Sequence, residues 1–372
     1  MNSVQLTQEL VRINTVNPPG DEHECAKYLG KYLQDNGFNI HYHEFAKNRT
    51  SLVARIEGSE DKLPICFTGH IDTVPLGATK WSCDPFAADI DNGKLFGRGT
   101  SDMKAGVAAF VAAAVQVTKN TKPKAGLELV ITAGEETGCE GANHMAQLPN
   151  ALKKVGAIIV GEPTSNYPLV GHKGAYWLRL ISKGITAHGS MPEKGDNAIY
   201  KMAKAVNKLA NYQWTTDAHA VLGMPTLNVS TIQAGMNINS VPDRAEATVD
   251  IRTIPDQKQS QLMDEFTKLL GDDVEIEEIV GVDGIWAEPE NNWVKQVFSI
   301  AKEVLNVKPV ARSVSYFTDG PSLAKFSKNP PTLVLGPGEA AMAHQTDEFC
   351  FIDRIEEAVD LYERIAHKWC YE

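Results

Sequence analysis

Two changes of hydrophobic pattern divide this chain into three stretches, and that interruption constrains its fold more than any single motif. Up to Lys173, helical and extended patterns alternate. Thr7–Ile13 and Glu22–Asn36 read as helices, Phe38–Phe45, Ser51–Ile56 and Leu63–Thr68 as strands. Lys104–Val117 then reads as an Ala- and Val-rich helix, and Leu127–Thr132 and Ala157–Val160 as further strands. Such alternation predicts a layered α/β domain. From Tyr176 to Val280 the order becomes strand, helix, strand, strand, helix, strand: Tyr176–Ser182, Asn197–Leu209, Pro225–Gln233, Ala245–Arg252, Lys258–Leu270 and Val274–Ile279. That order predicts a small α+β sandwich of the split βαβ, ferredoxin-like kind. The first texture then resumes with helix Asn292–Leu305, strand Pro331–Leu335 and helix Asp353–Lys368. The expectation is therefore a discontinuous α/β domain, a mixed sheet flanked by helices, built from residues 1–174 and 285–372. Residues 175–284 form the insertion.

Polar groups suited to divalent metals stand where the apolar runs stop. His70 closes Leu63-Pro-Ile-Cys-Phe-Thr-Gly-His, Glu136 follows the run that starts at Leu127, and Glu162 follows the run from Val155. Ligands of open α/β sheets gather beyond the carboxyl ends of the strands, so these groups are placed to converge. Asp102, ahead of the Ala-rich helix, and His344, ahead of the terminal helix, complete a set of two imidazoles and three carboxylates. A mixed nitrogen and oxygen set suits zinc, cobalt or manganese better than calcium.

Each motif also has a plainer reading. His70 and Asp72 lie at i and i+2 of an extended segment, so the carboxylate can orient the imidazole, although an exposed polar turn would look the same. Asp102 is either an ordinary N-cap or, if Ser101 caps, a carboxylate left to bridge two cations. Glu135 and Glu136 are adjacent, which suits one ligand and one proton acceptor as well as a solvated acidic turn. A surface strand end would explain Glu162, and a solvated loop would explain His344 or His188.

Bulk properties exclude several classes of function. The 372 residues carry a net charge of −11 without a lysine or arginine block, so neither nucleic acid nor an anionic membrane is an expected partner. Cys25, Cys66, Cys83, Cys139, Cys350 and Cys370 form no CxxC pair, which fits reduced thiols in the cytoplasm. The first ten residues lack the pattern of a secretory signal, and no apolar run nears the roughly 20 residues of a membrane span.

Read together and in order, Gly69-His-Ile-Asp-Thr-Val-Pro, Gly97-Arg-Gly-Thr-Ser-Asp-Met-Lys-Ala-Gly, Gly134-Glu-Glu-Thr-Gly, Gly161-Glu-Pro-Thr-Ser and Ala343-His-Gln-Thr-Asp-Glu resemble the M20 metallopeptidase and deacylase family. The resemblance covers nearly the whole chain. Within the family, His172-Lys-Gly, Pro225-Thr-Leu-Asn-Val, Asp250-Ile-Arg-Thr-Ile-Pro and Pro331-Thr-Leu-Val-Leu-Gly-Pro-Gly look most like the acetylornithine deacetylase group. The related desuccinylases carry Gly-Gly-Thr-Ser-Asp-Gly-Arg-Phe where this chain has Tyr316-Phe-Thr-Asp-Gly-Pro-Ser-Leu.

The resemblance implies a hydrolase with two divalent metal ions per chain, zinc with cobalt or manganese as alternatives. Asp102 would bridge them, with His70 and Glu162 on one ion and Glu136 and His344 on the other. Glu135 would be the general base, Asp72 would orient His70, and the Asp102–Met103 peptide would be cis. The insertion would be a dimerisation domain whose His188 serves the partner subunit's active site, while Asn239 and Arg252 grip substrate. The implied substrate is a small N-acyl amino acid, N-acetylornithine of arginine biosynthesis first, and the implied assembly a cytoplasmic homodimer. Succinyl-diaminopimelate desuccinylase, a dipeptidase or carboxypeptidase, and a non-catalytic metal-binding relative are the rival expectations.

Overall fold

A computed structural model describes residues 1–255 and 257–372. The chain forms two compact units. Met1–Gly171, Trp286–Arg312 and Thr318–Glu372 make the first, and His172–Ile285 with Ser313–Phe317 make the second. Residues 313–317, which the sequence pattern assigns to the last α/β stretch, thus join the second unit.

The first unit is built on strands β1 (Asn39–Ala46), β2 (Arg49–Ile56), β3 (Ile65–His70), β4 (Ile90–Asp91), β5 (Lys94–Phe96), β6 (Leu127–Thr132) and β7 (Ala157–Val160), with a late strand at Thr332–Val334. The main sheet runs β1, β2, β6, β3, β7 and Thr332–Val334. Its β1–β2 and β2–β6 pairs are antiparallel, and β6–β3, β3–β7 and β7 with the late strand are parallel. Every residue of β3, β6 and β7 is buried. Parallel strands covered on both faces read as continuous apolar runs, which is why these three show no alternation.

Helix α1 (Ser3–Arg12) begins earlier than its apolar periodicity indicates. Asn2 and Gln5 form a capping box that fixes this start. Helix α2 (His23–Asp35) follows, and α3 (Ala105–Thr118) is buried all round from Ala105 to Ala114. Alanines let neighbours approach α3 closely, and it packs against α1 and the terminal helix Ile352–Tyr371. Phe67, Phe110 and Tyr362 join strand, helix and helix in one aromatic cluster. Two short helices, Glu140–Gln147 and Gly320–Phe326, escape a periodicity reading because neither exceeds eight residues.

The second unit has an antiparallel sheet in the order Thr226–Ala234, Arg244–Thr253, Gly174–Lys183, Glu275–Val282. Leu178 and Leu180 on one strand and Ala245, Ala247, Val249 and Ile251 on another alternate onto a single buried face. Helices Ala198–Ala210 and Gln259–Leu270 supply Met202, Leu209, Leu262 and Phe266 to the same core. The chain order of these elements is that of the split βαβ arrangement.

Candidate dinuclear metal centre

The central strands β6, β3 and β7 are mutually parallel, so their carboxyl ends open on one edge of the sheet. His70 is the last residue of β3, Glu135 and Glu136 follow β6, and Glu162 follows β7. Asp102 arrives from the segment ahead of α3, and His344 from the loop after Thr332–Val334. The Asp102–Met103 peptide is cis.

Two groups of three side chains result, and Asp102 belongs to both. His70, Asp102 and Glu162 form one group, Asp102, Glu136 and His344 the other, with donor atoms within 4.8 Å of one another in each. His70 Nε2 lies 3.1 Å from Asp102 Oδ1 and 3.7 Å from Glu162 Oε1. His344 Nε2 lies 3.4 Å from Asp102 Oδ2 and 3.1 Å from Glu136 Oε2. The two carboxylate oxygens of Asp102 therefore face different imidazoles. Glu135 stands beside the first group, its Oε2 4.0 Å from His70 Nε2.

Asp72 supports this arrangement from behind. His70 Nδ1 is 2.9 Å from the Asp72 carbonyl and 3.5 Å from its carboxylate, so the ring is oriented with Nε2 toward the cluster. The same carboxylate accepts the backbone N–H groups of Glu135 and Glu136 at 3.1 and 3.2 Å, and the Asn17 amide at 2.9 Å. One buried residue thus aligns His70 and both glutamates.

Ser101 does not cap α3. Its hydroxyl donates to the Phe349 carbonyl and accepts the Glu339 N–H, and no side chain caps that helix. The Asp102 N–H is taken instead by Glu348, the last residue of the His344 motif, to which the local sequence assigns no role. The local sequence assigns none to Asp319 either. Its buried carboxylate accepts the Thr132 hydroxyl at the end of β6, while its Oδ1 has no hydrogen-bond partner among the described residues.

The electrostatics favour a cation. Burial raises Glu135 and Glu162 well above the usual carboxylate range and raises Glu136 as well. Asp319 is pushed by burial to about 6. Burial pulls the His70 imidazole down, yet hydrogen bonds to Asp102 and Asp72 carry it well above its ordinary value. His344, hydrogen-bonded to Asp102 and then Glu136, is raised to about 10. Carboxylates outnumber imidazoles here, and among the described residues protons on the two imidazoles are the only positive charges in ion-pair contact with the cluster. Glu136 Oε1 is buried with no hydrogen-bond partner among the described residues. A divalent ion in each group would meet both demands, and the mixed donor set is one that zinc accepts.

The remaining residues singled out by sequence lie in the second unit. His188 is exposed, and its Nδ1 accepts the Ser190 N–H at 3.2 Å. Asn239 is exposed on the adjoining segment, its carbonyl accepting the Gly189 N–H at 2.7 Å. Arg252 pairs with Asp250 at 2.9 Å, and Asp250 also accepts the Trp177 indole N–H at 3.0 Å.

The family described as Peptidase family M20/M25/M40 matches residues 66–368. A probable succinyl-diaminopimelate desuccinylase of Staphylococcus epidermidis is 31% identical, covering 98% of this chain and 96% of the relative. An acetylornithine deacetylase of Vibrio cholerae is also 31% identical, covering 95% of this chain and 93% of the relative. In structure, an M20 family metallo-carboxypeptidase from Sulfolobus solfataricus superposes with a TM-score of 0.84 at 19% identity, covering 98% of each chain.

Proposed function

The chain belongs to Peptidase family M20/M25/M40, a family of metal-dependent amide hydrolases, and from that premise we propose that it removes the acyl group from a small N-acyl amino acid, N-acetylornithine first. The observation that carries the reading is the pair of ligand groups sharing Asp102, with Glu135 beside them.

His70, Asp102 and Glu162 would hold one divalent ion and Asp102, Glu136 and His344 a second, zinc by preference with cobalt or manganese able to replace it. When bound, such ions polarise the amide carbonyl and acidify water. Glu135 takes one proton of the attacking water as its oxygen bonds to the carbonyl carbon and returns that proton to the nitrogen as the C–N bond breaks, giving an amine and a carboxylic acid that ionises by losing its proton to the amine or the solvent. Burial raises Glu135 above the usual carboxylate range, which suits a group that must accept a proton and release it again. Asp72 fixes the tautomer and direction of His70. His188 acts on the developing oxyanion in the partner subunit of a homodimer, its Nδ1 being engaged by the Ser190 hydroxyl at 2.8 Å and N–H at 3.2 Å, which leaves Nε2 to reach the carbonyl oxygen. Arg252 and Asn239 hold the substrate, the guanidinium on its carboxylate.

A homodimer through the second unit is supported by its surface. Strand Thr226–Ala234 is an edge of its sheet, and Ile232, Met236 and Ile238 nearby are 56%, 87% and 103% exposed. All six cysteines are free, in keeping with a cytoplasmic enzyme, and among the described residues no helix is long and apolar enough to cross a membrane.

Desuccinylation is the second reading, favoured by the Staphylococcus relative. Against it, the segment from Tyr316 to Leu323, which runs into helix Gly320–Phe326, holds no arginine where the desuccinylase motif carries one, so it offers no guanidinium to a succinyl carboxylate. The test is a parallel assay of zinc-loaded protein with N-acetylornithine, N-succinyl-diaminopimelate and a dipeptide set. We expect the highest kcat/KM with N-acetylornithine, its loss on chelation and its return with zinc. Preference for the succinyl compound would exchange the two readings, and failure to cleave any amide would end both.

A further inference from the structure

We propose that Glu348 is a positioning residue that locks together the loops presenting Asp102 and His344, and thereby sets how tightly a cation is held on the His344 side. The inference rests on the reading of those two residues as ligands.

Glu348 is fully buried and its carboxylate is saturated. Oε1 accepts the Ser101 and Asp102 N–H groups at 2.8 and 3.0 Å. Oε2 accepts the Gly99 N–H at 2.9 Å and Arg98 Nη1 at 2.7 Å. Four donors fill the four lone-pair sites of one carboxylate. The Glu348 carbonyl also accepts the Gly97 N–H at 2.9 Å. Arg98 extends the clasp, donating to the carbonyls of Gln345 at 3.2 Å and Pro75 at 3.1 Å. Segment 97–102 is thereby bound to segment 345–348, with Asp102 at the end of one and His344 next to the other.

The His344 turn needs such support. His344 and Asp347 have φ of 64° and 58°, a region that side chains with a Cβ rarely adopt without help from their surroundings. The two ligand groups depend on the clasp unequally. On the His344 side, two of three donors, Asp102 and His344, hang on the clasped loops. On the other side only Asp102 does, since His70 ends β3 and Glu162 follows β7.

The experiment counts zinc while zinc-loaded protein is titrated with a competing chelator. Glu348→Gln keeps an amide oxygen for Ser101 and Asp102 but turns an NH2 group toward the Gly99 N–H and Arg98, setting donor against donor. We expect one zinc to be released about 10- to 100-fold more readily than in the unaltered protein, with the other changed far less. Release identical to that of the unaltered protein overturns the proposal. Equal weakening of both ions also overturns it, because that marks a general loosening of the fold. Glu348→Asp, which keeps the charge opposite Arg98 but shortens the reach, is read the same way if the amide variant does not purify folded. His344→Ala run alongside separates the two claims. It must cost one zinc, and if two remain, the ligand assignment is what fails.

Discussion

The two ends of one sheet bury carboxylates in opposite ways. Near the amino end of β6, Glu128 lies directly across from Arg55 of β2, and the guanidinium meets it at 2.7 Å. The Lys153 N–H takes the other oxygen at 3.3 Å. That carboxylate is neutralised by protein alone. Beyond the carboxyl ends of β6, β3 and β7, Asp102, Glu135, Glu136 and Glu162 make ion pairs with two imidazoles only among the described residues. Burial is comparable at both ends. A buried charge with its countercharge built in belongs to the architecture, whereas an excess of buried negative charge calls for an ion from outside.

The sharpest challenge to that contrast is Glu135, the carboxylate assigned to proton transfer and not to a metal. Glu135→Gln should lower kcat by about 10²- to 10⁴-fold with both zinc ions retained. Parallel initial-rate and elemental measurements check this, and loss of a zinc ion would make Glu135 a ligand.

A second comparison sets one variant from each end of the sheet against the other. Arg55→Ala strands the Glu128 charge and should cost about 3 to 5 kcal/mol of stability, with zinc content unchanged. Glu162→Gln should do the reverse in chelated protein, since it removes one of the crowded carboxylates that burial raises. Its thermal midpoint should rise when zinc is withheld and fall relative to the unaltered protein when zinc is supplied. Each kcal/mol corresponds to about 2 to 4 °C in units of this size. A lowered midpoint in both states would mean that Glu162 is structural like Glu128.

The smallest effect concerns two buried imidazoles. Burial pulls His70 down but hydrogen bonds to Asp102 and Asp72 carry it well above its ordinary value, whereas His172, whose Nδ1 lies 2.8 Å from the Lys173 carbonyl, is pushed down by burial to about 4. With its folded value depressed below the ordinary 6.5, the unfolded chain binds a proton in this window that the folded chain refuses. Stability from His172 is therefore present above about 6.5 and lost as pH falls toward about 4. Chemical denaturation from pH 7 to 4 should show a steeper loss for the unaltered protein than for His172→Gln, and parallel curves would remove His172 as a contributor.

Much of the site could be read in the sequence because its donors sit where apolar runs end. His70, Glu136 and Glu162 are each announced by a strand, and a parallel sheet brings strand ends together without further information. Both halves of the split sheet were legible for the same reason, their periodicity being local. The clasp was not, because Glu348 meets Ser101 across 247 residues and the Thr132 hydroxyl meets Asp319 across 187. No local pattern encodes partners so remote. The early start of α1 was readable, since Asn2 and Gln5 carry a capping signature, but hydrophobic spacing alone placed it at Thr7. The part of Ser101 also escaped, as its partners Phe349 and Glu339 come from the far end of the chain.

The order in which the donors are made has a consequence for synthesis. β3, β6 and β7 lie within residues 65–160, and the strand that extends them, Thr332–Val334, joins at the sheet's edge. A nascent chain can lay down the centre of the sheet, with His70, Glu136 and Glu162 at its strand ends, long before His344 and Glu348 leave the ribosome. Until then the acidic pocket lacks one imidazole and the clasp that steadies Asp102. Closure of the second ligand group is thereby deferred to the last stage of translation, and a chain released early would carry a half-built cluster.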